Sequence, residues 1–169
     1  MKKIYLLLAT VLLSVGPCLS QINQLSQSEF DDISFNGVTV RQIINTDGNV
    51  DNMSALFGKN VQQEMNDTAP FLAKHLFIGD DISFDFEDVT DTGNSYQLTY
   101  IIVDNPSILV KVKGITAKLG DDLSVFGNNV INTFKGDNSV VFSGVLSCSL
   151  SFKISETTDK VIEIELIIF

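Results

Sequence analysis

The chain contains no tryptophan, one histidine, two cysteines and three prolines among its 169 residues. It is also short of positive charge: 11 Lys and Arg stand against 21 Asp and Glu, a formal net charge of −10. Each shortage removes a class of function. One His and two Cys cannot assemble the usual zinc sets, and they leave little room for thiol or triad chemistry. The excess of acid argues against nucleic acid and anionic membrane surfaces as partners, since both attract Lys and Arg. Without Trp and with only three Tyr, an aromatic platform for sugars has few residues to draw on. Apolar residues are plentiful at 44%, which excludes general disorder. A length of 169, or 149 without the first 20 residues, fits one domain with a real core, or two very small ones.

Residues 1–20 read MKKIYLLLATVLLSVGPCLS. Lys2 and Lys3 precede an apolar run over 4–15, then come Gly16-Pro17 and small residues. That order of charged, apolar and small segments is the layout of a secretory signal peptide. The apolar run is short for a bilayer span, which needs about 20 residues. Cleavage after Ser20 would leave Gln21 at the front of a chain with 9 basic and 21 acidic residues, a charge of −12. The sequence therefore predicts an exported protein, periplasmic or extracellular, with no transmembrane segment after cleavage. The alternative is a lipid anchor at Cys18, although Pro17 stands where such a signal wants a small residue. Cys148 then remains as the only cysteine, within the strand-like run VLSCSLSF. It reads as a small buried hydrophobe, with pairing to another chain as the other reading.

Residues 21–32 are polar and predict a loose leader. Ile33-Ser34-Phe35 and Val38-Thr39-Val40 flank Asn36-Gly37, a two-residue hairpin signal. Asp47-Gly48 marks a turn. Val50, Met53, Leu56 and Phe57 fall at helical spacing, with Gly58 placed as a stop. Residues 61–77 predict a second helical piece, interrupted near Pro70. Strands follow at 82–86 and 96–103, with Gly93-Asn94 as the turn between them, and Asp104-Asn105-Pro106 breaks the chain. The second half repeats the order: a strand at 108–112, a helical turn from Gly120-Asp121-Asp122 to Gly127, and strands at 140–142, 145–154 and 161–169. A local echo supports the repeat. Leu56-Phe57-Gly58-Lys59-Asn60-Val61 matches Val125-Phe126-Gly127-Asn128-Asn129-Val130, and Phe84-Asp85-Phe86 aligns with Phe152-Lys153-Ile154.

Two similar tandem units follow, at 33–105 and 106–169, each too small to bury its own apolar face alone. A short strand, a helix ending Phe-Gly and then antiparallel strands, twice over, resembles the β-lactamase-inhibitor-protein-like repeat. Small outer-membrane assembly lipoproteins use a similar unit. The segments that carry the resemblance are 49–58 and 120–127 with the strands after each; it would span most of 33–169. It implies binding rather than catalysis, as in protein inhibitors and envelope scaffold factors, and it carries over no individual contact residue. The segment between Gly79 and Asp91 has no match in the pattern.

Few constellations suggest chemistry. Asn45, Asp47, Asn49 and Asp51 place oxygens at every second position around Gly48, as in a calcium loop. The spacing departs from the full pattern, because Val50 and Leu56 stand at the sixth and twelfth places. Cap and turn is the simpler reading. Asp80, Asp81, Asp85, Glu87, Asp88 and Asp91 form an acidic run. On a strand, Asp85, Glu87 and Asp91 share one face and Phe84 and Phe86 the other. Such a run could bind a cation or a basic partner, work as a carboxylate pair, or simply solubilise and guard an edge strand. His75 stands beside apolar residues without a second ligand. No nucleophile elbow or phosphate-cradling loop is present. In the C-terminal alternation, Glu163 and Glu165 face water from a core strand; a small outer-membrane barrel is the competing reading, against which the helix signals count.

The sequence thus predicts an α+β fold, mainly antiparallel sheet with short helices. It predicts an exported, non-catalytic binding protein with a protein partner, an inhibitor or an envelope accessory factor. No catalytic, cofactor-binding or metal residue is assigned. The alternatives are a secreted hydrolase using carboxylates of 79–91, or a structural surface protein.

Overall fold

The computed structural model describes residues 23–66, 72–88, 90, 93, 95–128, 131–134, 137–145 and 148–168. The predicted signal peptide, Cys18 within it and Gln21 lie outside the described residues, as do Asp91, Asn94, Asn129 and Val130.

Residues 23–32 are not a loose leader. Ser26 and Glu29 form a reciprocal capping box that starts helix α1, Gln27–Asp31, and Leu25 and Phe30 are buried. Ahead of the helix, the Ser143 N–H donates to the Asn23 carbonyl at 2.9 Å and the Leu25 N–H to the Ser143 carbonyl at 2.8 Å. Two buried apolar side chains and a strand edge outweigh a polar composition.

Strands β1 (Ser34–Phe35) and β2 (Val38–Thr39) form the hairpin around Asn36-Gly37. Thr39 and Gln42 make a second capping box at the head of α2, Val40–Ile44. Asn49 caps α3, Val50–Phe57, by accepting from the Asn52 N–H. Asp31 and Arg41 form an ion pair that ties α1 to α2. Then come β3 (Gln62–Asn66), β4 (Ala73–Ile78), β5 (Ile82–Asp88) and β6 (Tyr96–Val103). The second half supplies β7 (Val110–Val112), β8 (Ile115–Ala117) and a 3-10 turn, Leu123–Phe126, that Asp122 caps. It ends with β9 (Ile131–Phe134), β10 (Asp137–Ser143), β11 (Ser149–Ile154) and β12 (Val161–Ile167).

These strands make two antiparallel sheets. The small one runs β2-β1-β7-β8, joining the hairpins of the two halves through β1 and β7. The large one runs β3-β4-β5-β6-β12-β11-β10-β9. Two four-strand meanders thus meet at β6 and β12, and the sheet is open, with β3 and β9 at its ends. The fold is α+β, dominated by antiparallel sheet.

Apolar residues alternate onto one face of the large sheet. Leu76, Phe84, Ile101, Leu166, Leu150 and Phe142 are successive cross-strand neighbours in a fully buried row. The helices and the 3-10 turn cover this face. Phe57 of α3 lies 5.4 Å from Phe84 between ring centroids, and Phe126 lies 4.8 Å from Phe152. Both contacts join residues of the Phe-Gly echo to residues of the aligned strand motif.

Where the sequence predicts a helix over 61–77, residues 62–66 and 73–77 are strand instead, and 67–71 lie outside the described residues. Gln, Glu and Met favour helix in isolation, but β4 turns Leu76 and Ile78 into the core while His75 and Phe77 face outward. Burial of one alternating face outweighs intrinsic preference here. A strand predicted over 145–154 begins at Ser149, so Cys148 precedes it, buried where the chain comes round from Gly144. In β12, Ile162 is 53% exposed because the register shifts between Lys153 and Ile154 of β11.

Candidate functional site

With the helices and small sheet on one side, the large sheet leaves its other face uncovered by the described residues. Pairing fixes what stands side by side there. Glu64 of β3 opposes His75 of β4, His75 opposes Asp85 of β5, and Asp85 opposes Tyr100 of β6. A neighbouring row carries Phe77, Ser83, Ile102 and, on β12, Glu165.

His75 and Asp85 form an ion pair, Nδ1 to Oδ1 at 2.5 Å, that is charged only while the imidazole is protonated. Both side chains are about 40% exposed, so solvent screens the attraction. Glu64, Met65, Ala73, His75, Asp85 and Glu87 line an open cleft of about 520 Å³. Across Asp85 and Glu87 a second cleft of about 450 Å³ runs along Thr99 and Tyr100 to Ile167. The Tyr100 hydroxyl donates to Glu165 across the seam between β6 and β12. Burial first, then that bond and the nearby charges of Glu165, Glu163 and Asp85, push the phenol well above its ordinary value of 10.

The acidic run does not act as one group. Asp85 and Glu87 share the open face, with Phe84 and Phe86 fully buried behind them, as alternation requires. Asp88 points the other way, fully buried, and accepts from Thr90 N–H at 2.9 Å, Thr90 Oγ1 at 2.7 Å and Gly93 N–H. Its role is to close the β5–β6 loop. Asp80 stands exposed in the β4–β5 turn, and Asp81 pairs with Lys59 at 2.9 Å. The hydrogen bond from Lys59 holds the Asp81 carboxyl below the usual carboxylate range. The edge-guarding role expected of this run does not apply, because β5 lies between β4 and β6.

The calcium-like residues take up cap and turn positions, and of their side-chain oxygens that of Asn49 accepts from the Asn52 N–H. Asn45 is the C-cap of α2, Asp47 takes a positive φ in the following turn, Asn49 is the N-cap of α3, and Asp51 sits in its first turn. Among the described residues, no group of three or more His, Cys, Asp or Glu side chains is placed to hold a metal. Lys74 stretches over the Tyr96 ring, 3.6 Å from its centroid. Burial lowers its pKa, against the opposing pull of Asp47 and Asp88.

Sequence reasoning missed Glu64, which lay in a predicted helix, and the tie from Tyr100 to Glu165. The alternation of His75, Leu76, Phe77 and Ile78 could have revealed β4, and with it the neighbours of His75. Nothing local reveals a bond between residues 65 apart in the chain. The placement of Glu163 and Glu165 on the face away from the core, where both are half-buried, was legible from alternation alone.

Chemically, the face can pair with cations and cover an apolar surface. The 520 Å³ cleft has a proton-carrying pair but no hydroxyl or thiol among its lining residues. No helix among the described residues is long and apolar enough to cross a membrane. Comparison with protein-family models, curated proteins and solved structures returns no match.

Proposed function

We propose that the chain is an exported, non-catalytic binding protein built as two similar tandem units, with a protein as its partner. An inhibitor or an envelope accessory factor would both suit it. One observation carries the reading: among the described residues, the eight-stranded sheet has its helices on one face, while the other presents half-buried Phe77, Tyr100, Ile102 and Ile167 among carboxylates. An uncovered face of that kind is the pattern of an interaction surface. Export rests on the signal layout of residues 1–20, and the tandem units on the Phe57–Phe84 and Phe126–Phe152 contacts.

The hydrolase reading has the His75–Asp85 pair in its favour and little else. A carboxylate-oriented imidazole can move a proton, but the cleft beside it is open to water and has no hydroxyl or thiol among its lining residues.

Affinity capture with the tagged chain 21–169, beside a charge-matched control protein, tests the proposal. One or two proteins held through moderate salt, and absent from the control, are the expected result. Control-like binding that washes away in salt would sink it. Turnover of a generic hydrolase substrate that disappears in Asp85→Asn would move the assignment to the enzyme.

A further inference from the structure

The open face is divided. Over β3–β6 and the adjoining β12 it carries Glu64, Asp85, Glu87 and Glu165 around Phe77 and Ile102. Over β10 and β11 the same rows continue as Ser143, Ser149 and Ser151 with Val141. The scarce cations are mostly spent elsewhere. Arg41 pairs with Asp31, Lys59 with Asp81, Lys113 with Glu29 and Lys160 with Asp122. On the acidic part His75 answers Asp85, and at its border Lys153 of β11 stands 4.0 Å from Glu163 of β12. Among the described residues, Glu64 and Glu87 have no ion-pair partner.

Any protein that covers Phe77 and Ile102 must strip water from these carboxylates. Dehydrating an unpaired carboxylate is expensive, so an apolar cover alone would be opposed. A cover with Lys or Arg at its margin turns the same carboxylates into charge-assisted hydrogen bonds and speeds encounter through the complementary field. Arg suits the site best, because its planar fork can meet a carboxylate with two bonds and its flat face can lie on Phe77 or Tyr100.

Resting on the binding reading above, we infer that the acidic part of the open face, over β3–β6 and β12, docks a protein surface with an apolar centre flanked by Arg or Lys. The serine part over β10 and β11 lies outside the contact.

The test uses the chain 21–169 and three probes at about 150 mM salt, the physiological range of screening. The first is a blocked eight-residue peptide alternating Arg and Leu, the second the same peptide with Glu for Arg, the third spermine, which has charge without an apolar surface. Amide chemical shifts map the contact. The expected result is binding of the Arg–Leu peptide at least tenfold tighter than either other probe, with shifts confined to β3–β6 and β12. Glu64→Gln with Glu87→Gln should weaken it at least tenfold at unchanged melting temperature. Ser149→Ala with Ser151→Ala should leave it unaltered. Equal binding of peptide and spermine, shifts scattered over the loop carboxylates, an indifferent Glu64→Gln/Glu87→Gln variant, or no binding would each overturn the inference. If the peptide fails while the capture experiment still yields a salt-resistant partner, the contact surface is wrong and the binding reading stands. If both fail, both fall.

Discussion

On the covered face of the large sheet, Phe57 rests on Phe84 in the first half and Phe126 rests on Phe152 in the second, at centroid distances of 5.4 and 4.8 Å. On the open face the halves part company. Strands β4 and β5 carry His75, Phe77, Asp85 and Glu87, whereas β10 and β11 carry Ser143, Ser149, Ser151 and Val141. The contrast separates two kinds of constraint. The covered face must fill a shared core at close packing, so both halves arrive at the same device, a helix-ending Phe laid on a strand Phe. The open face answers only to water and to whatever binds there, and it is free to differ. The surface where the halves differ is accordingly where we place the partner.

The largest test of this comparison lies in the core. Phe84→Ala and Phe152→Ala each delete a fully buried ring and should each cost about 3–5 kcal/mol in urea unfolding. Double-mutant cycles for Phe57 with Phe84 and for Phe126 with Phe152 should return couplings of about 0.5–1.5 kcal/mol, similar in the two halves. A coupling present in one half and absent from the other would break the equivalence of the covered face.

A finer test asks how far the echo extends. Gly58 and Gly127 both follow a Phe that closes a helical turn, yet their backbones differ. Gly58 has φ 63° and ψ 26°, the left-handed cap of an α-helix. Gly127 has φ 60° and ψ −123°, a combination that side chains hardly tolerate, after a 3-10 turn. Neither has an atom within 4 Å of where a Cβ would sit, so the backbone alone decides. Gly58→Asn should cost well under 1 kcal/mol, since Asn tolerates the left-handed region. Gly127→Asn should cost about 1–3 kcal/mol. Equal costs, read from urea midpoints, would mean the two stops are interchangeable and the echo deeper than the dihedrals suggest.

Much of the architecture was legible because local chemistry and global packing agree. Asn36-Gly37, Asn49 with Gly58, and Asp122 with Gly127 each specify a turn or a cap without help from the rest of the chain. The alternation in 82–86 and 96–103 marks strands with one buried face. Where the reading failed, the deciding terms lay elsewhere. Residues 61–77 are locally suited to helix, and only pairing with β5 makes β4 a strand. Residues 23–32 read as leader because their partners, Ser143 and Gly144, lie more than a hundred residues away. Two legible signals were passed over: Ser26 with Glu29, and Thr39 with Gln42, are capping boxes in plain sequence. The candidate site was legible only in pieces. Asp85, Glu87, Glu163 and Glu165 could be assigned to an exposed face by alternation, but that β6 and β12 are neighbours, which brings the two groups together, is a property of the sheet order.

The last test probes the seam where the two halves meet. Tyr100 of β6 donates to Glu165 of β12, a polar tie on the open face between strands that the core also joins. Its phenol is held protonated above its ordinary value of 10 by burial and by the carboxylates of Glu165, Glu163 and Asp85. Below pH 10 the folded and unfolded chains both keep this proton, and the contribution to stability is complete. Above pH 10 the unfolded chain gives up its proton first, so stability must fall as pH rises towards the folded value. Tyr100→Phe removes that proton from both states. At pH 7 the variant should be about 1 kcal/mol less stable, the value of a hydrogen bond to a charged acceptor that water can partly replace. Between pH 10 and 11.5, which spans the onset of ordinary Tyr ionisation, its stability should fall less steeply than that of the parent chain. If the two alkaline slopes coincide, the phenol ionises alike in both states. The tie across the seam would then be ornamental, and the halves would be held together by the β6–β12 and β1–β7 pairings and the covered face without it.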